Sequence, residues 1–190
     1  KFDDWTAVRP EYRDDLGDTM HRDHPGYDRA GRYLNTTGRN DFTLLKAAAD
    51  DNSIYFYART AEPVTPPEGT DWMLLFIDAD RNPATGWNGY DFLANRRTKN
   101  DRTTSLETLS ADGRPTPVCD VSVRVKGREL ELSIPRSALG LNAVGLKANN
   151  PPTFDFKWAD NVQWEQAGPH VAAFILNGDT APNNRFNYRY

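Results

Sequence analysis

Residues 119–134 read Cys119-Asp-Val-Ser-Val-Arg-Val-Lys126-Gly-Arg-Glu-Leu-Glu-Leu-Ser-Ile134, and their alternation decides the fold. Cys119, Val121, Val123 and Val125 fall on one side of an extended chain, while Asp120, Ser122, Arg124 and Lys126 fall on the other. A strand turns over at every residue, so this period of two is the mark of a half-buried β-strand. Lys126, Gly127 and Arg128 make the turn, and Leu130, Leu132 and Ile134 then point inward against Glu129, Glu131 and Ser133. The pair reads as an antiparallel hairpin.

Working outward, a second hairpin joins 42–49 to 53–60 through the turn residues Asp50, Asp51 and Asn52. The run 72–77 is apolar at every position, as expected of a strand covered on both faces. Further strands are expected at 90–96, 154–158, 171–176 and 186–190, and one helical turn at 135–139, with Pro135 at its start and Gly140 as its stop. The first 41 residues are polar and rich in Asp, Arg and Gly, and are expected to wrap the rest irregularly. The expectation is therefore a single all-β domain over 1–190, an antiparallel two-sheet, jelly-roll-like sandwich over 42–190 with an irregular wrap over 1–41.

Bulk properties narrow the partners. A net charge of −4 provides no basic footprint for nucleic acid or an anionic membrane, and no apolar run has the length of a membrane span. Cys119 is the one cysteine, so there is no disulfide framework, and a small buried hydrophobe is expected there. Lys1 opens the sequence without a signal peptide, so secretion implies a signal removed or lying upstream. A monomer is expected. Five Trp, eight Tyr and nine Phe suit a β core and also offer flat faces on which a sugar ring can stack.

Chemistry concentrates just past the apolar run. Asp78, Asp80 and Asn82 alternate, then come Thr85, Gly86 and Asp91. Oxygen ligands so close repel one another unless a hard cation neutralises them, which makes Asp78, Asp80, Asn82 and Asp91 a candidate calcium set; a metal-free Asx-rich turn is the alternative. The helix-loop-helix calcium pattern does not apply, because Pro83 and Gly89 occupy its Gly and Glu positions. A second acidic group, with Asp14 and Asp15 beside Asp18 and Asp23, lies in the wrap; Asp18 and Asp23 are candidates for a further calcium, against a solvated acidic loop paired with Arg13, Arg22 and Arg29. His21 and His24 lack the further ligands zinc needs.

The succession 71–78, Asp78, Asp80, Asn82, Thr85, Gly86, Gly89, Tyr90, Asp91, Phe92 and then Ile134, Pro135, Arg136, Ser137, Leu139, Gly140 resembles the family 9 carbohydrate-binding modules and the wider DOMON-like sandwiches. The likeness runs from about residue 42 to 190. The wrap, with Gly17, Asp18, Thr19, His21, Arg22 and Asp23, resembles a variant found as accessory domains in large bacterial secreted proteins. The resemblance implies structural calcium at the loop beginning at Asp78, and a sugar held between two Trp rings. Asn95 falls where the family's Asn reaches the sugar, but Glu68 stands at the first clamp position, and 177–182 holds no second Trp. Replacement rings are Trp87, Trp158 and Trp164, with Asp160 and Asn161 beside Trp158 suited to vicinal hydroxyls.

No nucleophile elbow, metalloprotease helix, phosphate loop or dinucleotide fingerprint is present, but glycoside hydrolysis needs only two suitably spaced carboxylates; the expectation of a non-enzyme goes with the resemblance to binding modules. Haem held by Met73 and His170 is disfavoured by the apolar setting of Met73. The sequence thus predicts a calcium-stabilised carbohydrate-binding or accessory module of a secreted polysaccharide-active protein, covalently part of a larger multidomain parent, with a mono- or oligosaccharide as ligand. The alternatives are a small glycosidase or polysaccharide lyase, and a purely structural domain without ligand.

Overall fold

The computed structural model describes residues 1–19, 22–26, 31–35, 38–69, 71–141, 152–162 and 171–190. The fold is all-β and antiparallel. Its strands are β1 (Tyr12–Arg13), β2 (Arg22–Pro25), β3 (Arg32–Asn35), β4 (Phe42–Ala49), β5 (Ser53–Thr60), β6 (Leu74–Asp78), β7 (Phe92–Asn100), β8 (Thr103–Leu109), β9 (Pro115–Lys126), β10 (Glu129–Pro135), β11 (Asp155–Asp160), β12 (Asp179–Ala181) and β13 (Tyr188–Arg189). β2 and β3 form a separate hairpin; the main sheet runs β1-β4-β5-β10-β9-β8-β7-β6-β11-β12, with β13 also on β11. The pairing is one continuous path and does not itself divide the strands into two sheets.

The ends of that path nearly meet. Tyr12 of β1 donates its hydroxyl to Arg189 O at 2.5 Å, Tyr188 of β13 donates to Arg13 O at 2.9 Å, and the two rings lie 4.9 Å apart. Phe42 N at the start of β4 donates to Asp179 Oδ2 at the start of β12, at 2.7 Å. An open sheet edge exposes unpaired amides and carbonyls; here the edges are folded against each other.

The two hairpins read from sequence form as expected. Leu130 faces Val125 and Leu132 faces Val123 across β9 and β10, although Val125 is exposed near the strand end. Asp50 Oδ1 closes the β4–β5 turn by accepting from Asn52 N and Ser53 N. In β5 the inward Ile54, Phe56 and Ala58 are fully buried. Cys119 is half-buried against the core.

β6 is buried at every position because it separates two apolar clusters. Leu75 and Ile77 face the main core with Phe56, Phe156 and Leu132, while Leu74 and Phe76 face a smaller one with Trp87, Tyr90 and Phe174. The strand starts at Leu74, later than expected, since Asp71 and Met73 take left-handed φ values of 61° and 47°.

Several expectations change. Residues 171–176 are not a strand: Ala173–Leu176 is one turn of α-helix whose Phe174 fills the smaller core. A six-residue apolar run carries no period able to separate the two states. Strands β8 and β12 were not expected; β8 is mostly Thr, Ser and Glu, yet is buried through pairing and its Leu106 and Leu109. The wrap is more ordered than expected, containing β1 to β3 and a 3-10 helix, Phe2–Ala7, whose Trp5 packs 5.1 Å from Tyr57. Among the described residues no helix is long and apolar enough to cross a membrane.

Candidate metal centres and the fate of the sugar residues

Asp78 ends β6, and the chain then folds back tightly to Asp91. Asp78 Oδ1 accepts from Arg81 N at 2.5 Å, Asp80 Oδ1 from Asn82 N at 2.8 Å and Asp91 Oδ2 from Ala79 N at 2.9 Å. These bonds orient the carboxylates. Asp78, Asp80 and Asp91 each bring an oxygen within 4.8 Å of the others, a spacing compatible with one ion at 2.3–2.6 Å from each.

Asn82 contributes differently from expectation, because its side-chain oxygen is occupied by Ala84 N at 3.0 Å. Its main-chain oxygen faces the loop interior: a Cβ added to Gly89 would lie 3.5 Å from Asp78 Oδ2 and 3.8 Å from Asn82 O. Gly89 takes a left-handed φ of 94°, and an added Cβ would press on Pro83 Cα at 3.3 Å, while Asn82 O already accepts from Thr85 N and Oγ1. Gly86 is required for a different reason: at φ 55° its Cβ would stand 2.0 Å from Tyr90 O, within the Trp87–Tyr90 bridge. Asp78 is 6% exposed, and burial, then the nearby Asp91, Asp155 and Asp80, push its carboxyl up to about 6. No ion pair among the described residues reaches Asp78, Asp80 or Asp91. The donor set is hard oxygen and net negative, which fits calcium.

In the wrap, Asp18 and Asp23 separate. Asp23 pairs with Arg32 across the β2–β3 hairpin. Asp18 instead joins Asp14 and Asp179, again with oxygens within 4.8 Å. Asp179, which forms β12 and so lies far away in sequence, was not foreseen.

Of the residues expected to hold sugar, Trp87, Asn95, Trp158 and Asp160 are buried and Asn161 is half-buried. Trp87 is 2% exposed, enclosed by Phe76, Tyr90 and Phe174 at 5.9, 6.1 and 5.6 Å. Trp158 is fully buried in β11 beside Phe42. A ring packed on both faces has none to offer a pyranose. Asn95, 1% exposed with φ 68°, sits at a break in the β7–β8 register and donates Nδ2 to Met73 O at 2.9 Å. Asp160 accepts from Met73 N at 2.8 Å and Arg39 Nε at 2.9 Å, and Asn161 N donates to Asp71 O at 2.7 Å. Together these three residues fix the irregular entry to β6. Trp164, Met20, His21 and His170 lie outside the described residues.

A different concavity, of about 910 Å³, opens between the segment 64–67 and the ends of β7 and β9. Val64, Pro66 and Val123 form an apolar wall, and Asn100, Arg102 and Arg124 a polar one. Buried Glu107 is held by Arg96 through two bonds of 2.6 and 3.0 Å, an ion pair locked within the β7–β8 ladder. The chain matches no protein-family model and no curated protein.

Proposed function

We propose that this domain is a non-catalytic accessory module of a secreted, polysaccharide-active protein, held in shape by calcium at the 78–91 loop. The observation that carries the reading is the convergence of Asp78, Asp80 and Asp91 at the end of a fully buried strand. Three carboxylates so placed repel one another, and a dication turns that repulsion into a tie between β6, the loop and the start of β7. The resemblance of the loop to that of the family 9 modules points the same way.

The saccharide surface in this reading is the open groove, since Trp87 and Trp158 are core. Its apolar wall suits the C–H face of a sugar, and Arg102 and Arg124 suit an acidic one such as a uronate. The test is a titration of uronate-containing and neutral oligosaccharides into the calcium-loaded protein. Binding to the former that is lost in Arg124→Ala, with the melting temperature unchanged, supports the groove. Binding that survives Arg124→Ala but disappears in a folded Trp87→Phe overturns it. Release of reducing ends or unsaturated products from polysaccharide would replace the non-catalytic reading with the glycosidase or lyase.

A further inference from the structure

We infer that the fold carries a second divalent-cation site, formed by Asp14, Asp18, Asp41 and Asp179, which clasps the seam where the two ends of the main sheet meet. Asp14 follows β1 and Asp41 precedes β4, at one end of the strand path; Asp179 opens β12, at the other. The site is separate from the 78–91 loop and stands without it.

An acidic cluster alone says little, but this one contains buried carboxylate oxygens that have no hydrogen-bond partner among the described residues. Asp179 is 3% exposed; its Oδ2 accepts from Phe42 N, while its Oδ1 is buried and has no hydrogen-bond partner among the described residues. Asp41 repeats the pattern, with Oδ2 accepting from Gly17 N at 2.8 Å and Oδ1 buried without a partner among the described residues. Among the described residues Asp14 Oδ2 is likewise buried without a partner. Asp18 is anchored by Asn183 Nδ2 at 2.8 Å. Main-chain amides and an amide side chain thus hold one oxygen of three of the carboxylates, and the Asp14, Asp18 and Asp179 oxygens converge within 4.8 Å.

Leaving a buried carboxylate oxygen unsatisfied is costly, and leaving several together costs more, because each charge also repels the next. Lys157 acts electrostatically on Asp14 and Asp179 but does not pair with them. Lys157 is fully buried, donates to Pro182 O, lies 5.3 Å from the Phe174 ring centre, and makes no ion pair with Asp14, Asp41 or Asp179. Burial, and next Asp18, push the Asp14 carboxyl up to about 7, and burial, then Asp18, raises Asp179 strongly. Hard anionic oxygens, two of their carboxylates oriented by main-chain amides and a third by Asn183, are the ligands calcium takes.

The two sites have separate reporters in one experiment. Gly17 and Phe42 amides donate to the seam carboxylates, whereas Ala79 and Arg81 amides donate to those of the loop. Calcium is titrated into chelator-stripped, 15N-labelled protein, and the same is done with Asp14→Asn, which keeps the side-chain shape and removes one charge. The inference expects Gly17 and Phe42 to shift saturably in the wild type, and to need at least tenfold more calcium in Asp14→Asn while Ala79 and Arg81 respond as before. Gly17 and Phe42 that stay still while Ala79 and Arg81 move would overturn the seam site and leave the loop reading intact. Shifts unaltered by Asp14→Asn would also overturn it. Movement at Gly17 and Phe42 alone would support the seam and remove the loop.

Discussion

Trp87 shows how far a side chain's role depends on its neighbours rather than its type. Between Phe76, Tyr90 and Phe174 it is a packing residue, so Trp87→Ala should cost about 3–5 kcal/mol in urea unfolding; a loss under about 1 kcal/mol would mean the ring is not core. Gly86→Ala should destabilise by more than about 1 kcal/mol, since the site demands a left-handed φ and abuts Tyr90 O, and an unchanged urea midpoint would contradict the turn geometry. Asp50 provides a pH test. Tyr55 hydroxyl, then the amides of Asn52 and Ser53, bond its carboxylate and hold it below its ordinary 3.8. A depressed carboxylate stabilises the fold above that value, and the benefit is lost as pH falls through the folded one. Asp50→Asn should therefore flatten the acid limb of the stability profile, and an equally steep limb would count against the turn.

At the level of elements, what could be read from the sequence was whatever carries its own period. β5 and the strands of the β9–β10 hairpin alternate, and the apolar run of β6 announced two covered faces, which the separate clusters around Leu75 and Phe76 explain. β8 was hidden because its burial comes from its neighbours, and Ala173–Leu176 because a short apolar run fits helix or strand. The loop carboxylates were legible through their spacing within 14 residues. The seam carboxylates were only half legible, because Asp179 reaches Asp14 through the closing of the sheet. The irregular entry to β6 hangs on Asp160, and Asp160→Ala would remove the carboxylate that accepts from Arg39 Nε and Met73 N. Breaking such a buried pair costs about 3–5 kcal/mol, and a calorimetric melt within experimental error of the wild type would refute that role.

Across the whole molecule, a continuous antiparallel sheet curls until its first and last strands touch, and acidic groups mark two of its structural joints. One lies where β6 turns into the 78–91 loop, the other where β1 and β4 meet β12 and β13. With carboxylates crowded at both joints, the proposed reading makes bound calcium a contributor to stability of the same order as a large buried side chain. The most direct measurement is the melting temperature of chelator-stripped protein with and without calcium, alongside Asp78→Asn. At about a hundredfold excess over Kd, one site adds about 2.7 kcal/mol, roughly a 5–10 °C rise for a chain of this size. The account predicts a rise of at least that size in the wild type and a smaller one in Asp78→Asn; a wild-type melt indifferent to calcium would contradict it.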